Sequence, residues 1–176
     1  VNELFQKQSY RSRCTILSAN GVQNLVVPVI RPEGKNTKME DILISYAENW
    51  QKDHIKAIES AYRRAPYFEY YGADLFAILH KKHEKLIDLN GELTAFIIKA
   101  FDMNCSVKSA DQNQTAEVEA KILVIPKNRA NYKGQPYHQV FESTGGFEAN
   151  LSILDLLFNA RSSILGQAQY AKPQPT

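Results

Sequence analysis

The stretch RCTILSANGVQNLVVPVI, residues 13–30, decides the fold expected of the N-terminal half of this chain. Two runs rich in apolar and β-branched residues, 13–18 and 23–30, lie on either side of the pair Asn20 and Gly21. An Asn-Gly pair is typical of a two-residue hairpin turn, because both residues tolerate the positive φ that the turn requires. The sequence therefore predicts a β-hairpin with Asn20 and Gly21 as its turn.

Helices are predicted after this hairpin. The most regular pattern repeats every three or four residues, as one face of a helix that Pro66 ends, and consists of Trp50, His54, Ile58, Ala61 and Tyr62. Two further helices are expected over 73–82 and 84–101, and a last one begins at Asn150 or Ser152 as N-cap. Short strands are predicted at 42–44, 105–109 and 121–125, and Pro28 should end the second hairpin strand or keep it at an edge. The fold class is α/β (mixed), with an α+β arrangement left open.

Composition is that of an ordinary single domain. The chain has 176 residues, of which 44% are hydrophobic and 23% charged, and a formal net charge of only +2. A core of this size needs no disulfide or metal for stability, and so small a net charge is not typical of a nucleic-acid-binding protein. We expect a single domain over 1–165, a flexible tail over 166–176, and no nucleic-acid partner.

Two cysteines, Cys14 and Cys105, are too few for a disulfide framework, which favours reduced thiols in the cytoplasm. No apolar run approaches the length that a transmembrane segment needs. The sequence lacks the glycine-rich nucleotide motifs and the C-x-x-C and H-E-x-x-H metal motifs. His80 and His83 enclose two lysines, which disfavour a bound dication, so we expect no metal and no cofactor.

The N-terminal stretch carries the densest positive charge. If residues 5–13 form an extended strand, Lys7, Ser9, Arg11 and Arg13 project from the same face. Cations crowded on one face repel each other unless an anion lies opposite, and a phosphate or carboxylate is the natural counter-ion. The alternative is a solvated outer face that pairs with glutamates.

Other candidates are less distinctive. His54 lies on the inward face of the first predicted helix, where it serves either as a general base or as a structural histidine bonded to a carbonyl. Tyr137 and Gln139 belong to a long loop over 128–146, and loops of that length often carry function. Cys14 lies in an apolar strand, where a cysteine is more often part of the core than a nucleophile.

Several segments together resemble the WbqC-like protein family. They are FQKQSYRSRC, ANGVQNLVVPV, WQKDHIKAIESAYRRAPYFEYY, LIDLN, YHQVF and NLSILDLLFN, in this order over residues 2–159. The most specific pieces are Lys7 with Tyr10, Arg11 and Arg13, then Ala61-Tyr62 leading to Pro66-Tyr67-Phe68, and finally Asn150 through Asn159. The resemblance implies a bacterial cytoplasmic protein associated with O-antigen and other surface-polysaccharide gene clusters.

This resemblance also implies a function. It favours a transferase that places an acyl or aminoacyl group, glycine among those suggested, on a phosphorylated or nucleotide-activated sugar. Lys7, Tyr10, Arg11 and Arg13 would hold the phosphate, His54 would act as base, and Tyr137, Gln139 and Asn150 would contact substrate. The alternative is a non-catalytic binding or scaffold module of polysaccharide assembly, and the oligomeric state stays open.

Departures from the family pattern affect these expectations. Relatives often carry Asn where this chain has Ser12, and many continue Gly-Pro-Glu after Asn159 where this chain reads Ala160-Arg161-Ser162. The family pattern begins with a strand, a turn rich in Pro and Tyr, and a helix. Because Val1 already reads as strand, we expect that portion to be missing from these residues.

Overall fold

The computed structural model describes residues 3–105, 107 and 135–160. Its strands are β1 (Arg13–Ser18), β2 (Gly21–Val26), β3 (Val29–Ile30) and β4 (Leu43–Ile44), and its helices are α1 (Trp50–Tyr62), α2 (Phe68–His80), α3 (Leu86–Ala100), α4 (Glu142–Gly145) and α5 (Ile153–Asn159). Helices and small antiparallel sheets are mixed, which confirms the predicted fold class.

The predicted hairpin is confirmed, but its turn differs. Strand β1 pairs antiparallel with β2, and Ser18 pairs with Gly21, so the two turn residues are Ala19 and Asn20. At this turn, Gly21 takes a positive φ of 98°, whereas Ala19 and Asn20 do not take positive φ values. The prediction that Asn20 also adopts positive φ is therefore wrong, because the glycine alone supplies the left-handed residue that closes the strands.

Pro28 divides the second predicted strand. β2 ends at Val26, and β3 resumes at Val29 to pair antiparallel with β4, which confirms the strand expected at 42–44. Ser45 N donates to the Pro28 carbonyl at 2.9 Å. Proline has no backbone N–H to donate, but its carbonyl accepts this bond, which extends the pairing of β3 with β4 by one residue pair.

Residues 5–12 do not form the predicted strand. Residues 7–12 are turns and bends, Gln8 has a φ of 59°, and β1 begins only at Arg13. Ser9 is buried, and its hydroxyl donates to the Gln6 carbonyl at 2.8 Å. The alternation of side chains that would place Lys7, Arg11 and Arg13 on one face therefore does not exist here, because turns have no period of two.

Helix α1 follows its prediction closely. Its buried residues are the five whose spacing predicted the inward face, Trp50, His54, Ile58, Ala61 and Tyr62. α2 starts at Phe68, five residues before the predicted position, because Phe68 packs in the core against Phe158 with ring centroids 5.2 Å apart. Phe68, Tyr70 and Tyr71, which precede the predicted start of the helix, thus form its first turn.

Helix α3 lies within its predicted range and starts late for a specific reason. Ile44 N donates to the Glu84 carbonyl and Leu86 N to the Ile42 carbonyl, each at 2.9 Å. The chain just before α3 therefore pairs with the edge of β4, and helical geometry begins only at Leu86.

Helix α5 closes the core. Ser152 is its N-cap and accepts a hydrogen bond from Leu154 N, so of the two predicted caps Ser152 is confirmed and Asn150 is wrong. Leu157 and Phe158 are fully buried, and the Phe158 ring lies 5.2 Å from that of Tyr62. α5 thereby joins α1, α2 and the hairpin.

Some predictions fall outside the described residues. These are the strand at 121–125 and the tail at 166–176; of 105–109 only Cys105 and Val107 are described, and neither lies in a strand. Within the described part, none of the helices has both the length and the apolar character needed to cross a membrane.

Candidate functional site

A cavity of about 180 Å³ lies where the hairpin meets α1, α2 and α3. Tyr10, Arg11, Arg13 and His54 all line it. The structure thus brings together four of the residues that the sequence predicts for the site, although the strand that was expected to align them is absent. Tertiary contacts, and not strand alternation, make them neighbours.

Most of the cavity wall is apolar. Its hydrophobic lining consists of Leu25, Val27, Ile58, Leu75, Leu79, Leu89, Leu93 and Leu154. A cavity of about 150 Å³ lined by aliphatic side chains holds a molecule the size of benzene, so this one accommodates a small group. The polar residues from 10–13, together with His54 and Asn90, make the remaining wall suited to a short chain that ends in a polar or anionic group.

His54 is held neutral in this wall. Burial lowers its pKa, and the Val26 carbonyl and the charge of Asp53 only partly oppose the effect. Nε2 lies 3.1 Å from the Val26 carbonyl oxygen, and because a carbonyl can only accept, Nε2 carries the proton. Nδ1 therefore has the free lone pair, which is the state that a general base requires.

Arg11 is occupied by an internal partner. Its guanidinium donates to both carboxylate oxygens of Glu3, at 2.8 and 2.7 Å. Asn90 Nδ2 donates to the Arg11 carbonyl at 2.9 Å and ties this turn to α3. Arg11 thus shapes the cavity rim, but its charge is already compensated.

Arg13 is the cation that remains available. Its Nε is buried and has no hydrogen-bond partner among the described residues, and the side chain lines the cavity. A buried donor without a partner costs roughly 1–3 kcal/mol, and a bound carboxylate or phosphate would satisfy it. Arg13 is therefore the residue that we expect to hold an anionic group.

Cys14 lines the same cavity as a thiol. Burial raises its pKa to about 11, although a hydrogen bond with the Ser152 side chain lowers it in part. At neutral pH the protonated form dominates, and only a thiolate is strongly nucleophilic. This supports the packing interpretation of Cys14.

Two predicted residues lie elsewhere. Lys7 is exposed and Asn150 is half-buried, and neither lines the cavity. Asn150 has a φ of 60° and immediately precedes the segment that caps α5.

Tyr137 and Gln139 surround a buried carboxylate. The Tyr137 hydroxyl donates to Asp155 Oδ2 at 2.6 Å, and Gln139 Nε2 donates to the same oxygen at 3.0 Å. Gln139 also exchanges two hydrogen bonds of 2.9 Å with the backbone of Glu148. Burial raises the pKa of Asp155, and these donors oppose the rise.

Asp155 and Asn90 are the residues that sequence reasoning missed. Each interrupts an apolar helix face: Asn90 follows Leu86 by four residues and precedes Leu93 by three, and Asp155 precedes Phe158 by three. A polar side chain at an inward helical position is a detectable signal, because it must find a partner in the core. Among the described residues there is no group of three or more His, Cys, Asp or Glu side chains that could hold a metal ion.

The lowered pKa of His54 predicts a pH-dependent stability. Because the unfolded chain binds a proton more readily than the native one, the free energy of unfolding should fall as the pH decreases below about 6.5. His54→Gln keeps a donor for the Val26 carbonyl and should reduce this slope by up to about 1.4 kcal/mol per pH unit. Urea unfolding between pH 5 and 8 measures it. His80→Gln, at the exposed end of α2, is the control, and an unchanged slope in His54→Gln would contradict the assignment.

The chain is similar to known proteins at the level of its family. A family model described as "WbqC-like protein family" matches residues 2–130. The chain is also similar to the uncharacterized protein Rv1507c of Mycobacterium tuberculosis, at 25% identity over 96% of this chain and 85% of that protein. No solved structure matches the chain significantly.

Proposed function

Because the chain belongs to the WbqC-like protein family, we propose that it is a transferase that places an acyl or aminoacyl group on an activated amino sugar. The reaction would take place in the bacterial cytoplasm during surface-polysaccharide biosynthesis. One observation carries the proposal: an apolar cavity of about 180 Å³ has in its wall a neutral histidine and an arginine donor without a partner among residues 3–105, 107 and 135–160.

The size of the cavity supports binding of the acyl group inside it and of the sugar substrate outside it. A nucleotide-activated sugar does not fit into this space, since pockets that bind ligands of drug-like size measure about 300–1,000 Å³. The cavity therefore takes the acyl group, with the aliphatic wall around its carbon chain. The phosphorylated sugar approaches from outside with its amine or hydroxyl directed to the reacting carbonyl.

His54 serves as the base. Its Nδ1 takes the proton from the attacking amine or hydroxyl as the new bond to the acyl carbon forms. The resulting imidazolium returns that proton to the leaving group, for example the thiol of an acyl carrier, as its bond to carbon breaks. The hydrogen bond from Nε2 to the Val26 carbonyl, 3.1 Å, fixes the ring for this exchange.

Arg13 binds charge in this scheme. Its unpartnered Nε is a donor for the oxyanion that develops on the acyl carbonyl, or for an anionic group of the donor molecule. Arg11 supports the rim through its ion pair with Glu3 and is a positioning residue.

Ligand binding tests the proposal. A thermal-shift screen with nucleotide sugars and acyl-coenzyme A esters should identify a ligand that stabilises the intact protein. Arg13→Met retains most of the side-chain length and should weaken the acyl-coenzyme A ester at least tenfold, since it removes a charge-assisted hydrogen bond.

Lys7→Met is the matched control, because it removes one positive charge outside the cavity. It should leave the affinity unchanged. If no nucleotide sugar or acyl ester stabilises the protein, or if both variants weaken binding equally, the proposed site is wrong.

A further inference from the structure

A second concave site lies beside the C-terminal end of α1. It is a groove of about 720 Å³ between this helix and the turn that follows Gln139. The residues that matter for its chemistry are Lys56, Glu59, Arg63, Arg64, Val140 and Phe141. A volume of this kind falls in the range of sites that bind whole small molecules, about 300–1,000 Å³.

The groove is electropositive. It contains three cations and the single carboxylate of Glu59, a local charge of +2 in a chain whose formal net charge is +2. Among the described residues, Lys56, Arg63 and Arg64 form no ion pair. Neighbouring cations without counter-charges repel each other, and a multivalent anion would relieve that repulsion.

One wall of the groove is formed by the aromatic ring of Phe141, and hydrogen bonds of the buried residue Gln139 fix the turn that carries it. Phe141 belongs to a turn in which Glu142 N donates to the Gln139 carbonyl and Gly145 N to the Phe141 carbonyl, each at 3.1 Å. Gln139 is fully buried and is fastened to Asp155 and Glu148. The buried carboxylate therefore anchors the turn that carries the wall.

This groove is separate from the cavity at His54. Residues of a helix advance by 100° each, which places Lys56, Glu59 and Arg63 opposite His54 and Ile58 around the axis of α1. A molecule in the groove therefore does not reach Nδ1 of His54. The two sites face different sides of the same helix, and the inference is independent of the proposed transfer reaction.

We propose that the groove binds a nucleoside diphosphate. Arg63, Arg64 and Lys56 bind the pyrophosphate, since guanidinium groups hold phosphate oxygens bidentately. The base packs against Phe141, because every nucleobase presents a π face and stacking tolerates any base. Cations and an aromatic wall in one groove of this volume are the combination that such a ligand requires.

Isothermal titration with UDP, ADP, uridine and inorganic pyrophosphate tests the proposal on the whole chain. UDP and ADP should bind with similar affinity, and pyrophosphate and uridine each more weakly. The double variant Arg63→Gln/Arg64→Gln should lose at least tenfold in UDP affinity. Phe141→Leu should weaken UDP while leaving pyrophosphate unchanged, because it alters only the stacking wall.

Two controls keep the test specific. Lys35→Gln/Lys52→Gln removes the same charge from exposed positions outside the groove, and Arg13→Met changes only the other cavity; both should retain UDP affinity. Absence of UDP binding at millimolar concentration, an equal loss in the Lys35/Lys52 variant, or a loss in Arg13→Met would each overturn the proposal. Circular dichroism of every variant verifies that it is folded.

Discussion

Asp155→Ala is expected to lower the free energy of unfolding by roughly 2–4 kcal/mol. Asp155 is almost fully buried, and its Oδ2 accepts hydrogen bonds from both Tyr137 and Gln139. Alanine leaves these two donors without their acceptor, and a buried donor without a partner costs about 1–3 kcal/mol. Urea unfolding at pH 7 measures the change.

Asp155→Asn is the matched variant. Its carboxamide oxygen still accepts from Tyr137 and Gln139. Burial raises the pKa of Asp155, so ionisation costs native stability as the pH rises through the native pKa, and asparagine avoids that cost. We expect asparagine to change stability by less than about 1 kcal/mol at pH 7. If the alanine and asparagine variants lose the same free energy of unfolding, Asp155 does not stabilise the fold as the hydrogen-bond acceptor of Tyr137 and Gln139.

Replacement of His54 is expected to have the largest effect on activity. Loss of a general base typically reduces a rate by about 10²–10⁴-fold. His54→Gln preserves a donor to the Val26 carbonyl, so its loss of rate reports the missing base and not a missing contact. The measurement is the transfer rate with the best donor and acceptor found by the binding screen, recorded for both His54→Gln and His54→Ala.

The comparison of the two variants separates catalysis from positioning. Equal losses in kcat with unchanged KM indicate a base, and the acidic limb of the pH–rate profile should disappear in both. If His54→Gln retains the rate and His54→Ala loses it, His54 acts as a positioning residue through its hydrogen bond to the Val26 carbonyl. Unaltered function in cells for either variant would contradict the transferase proposal and favour the non-catalytic binding module.

Local patterns predicted much of the fold. The two β-branched runs on either side of Asn20 and Gly21 predicted the hairpin, and the spacing from Trp50 to Tyr62 predicted α1 and its buried face. These predictions succeed because each depends on residues a few positions apart, where backbone geometry alone relates the side chains. The start of α2 was misplaced because the burial of Phe68 against Phe158 depends on a helix far along the chain.

The candidate site was predicted only in part. Tyr10, Arg11, Arg13 and His54 do share a cavity, whereas the reason given for the basic residues, a strand face, is wrong. Tyr137 and Gln139, predicted as substrate contacts, both donate to Asp155 Oδ2. The sequence shows which side chains can donate or accept hydrogen bonds. It does not show their partners, because a donor pairs with whichever acceptor the fold places nearby.

The family, the hairpin, the buried face of α1 and the residues able to carry charge or a proton follow from the amino-acid sequence alone. The tertiary structure decided which of those charges is already compensated. Glu3 forms an ion pair with Arg11, and the Arg11 carbonyl accepts from Asn90, 79 residues away. Arg13 Nε has no hydrogen-bond partner within the part of the chain that the structure describes. Contacts of such separation depend on the packing of the whole domain, since electrostatic and hydrogen-bonding energies depend on distances in space and not on positions along the chain.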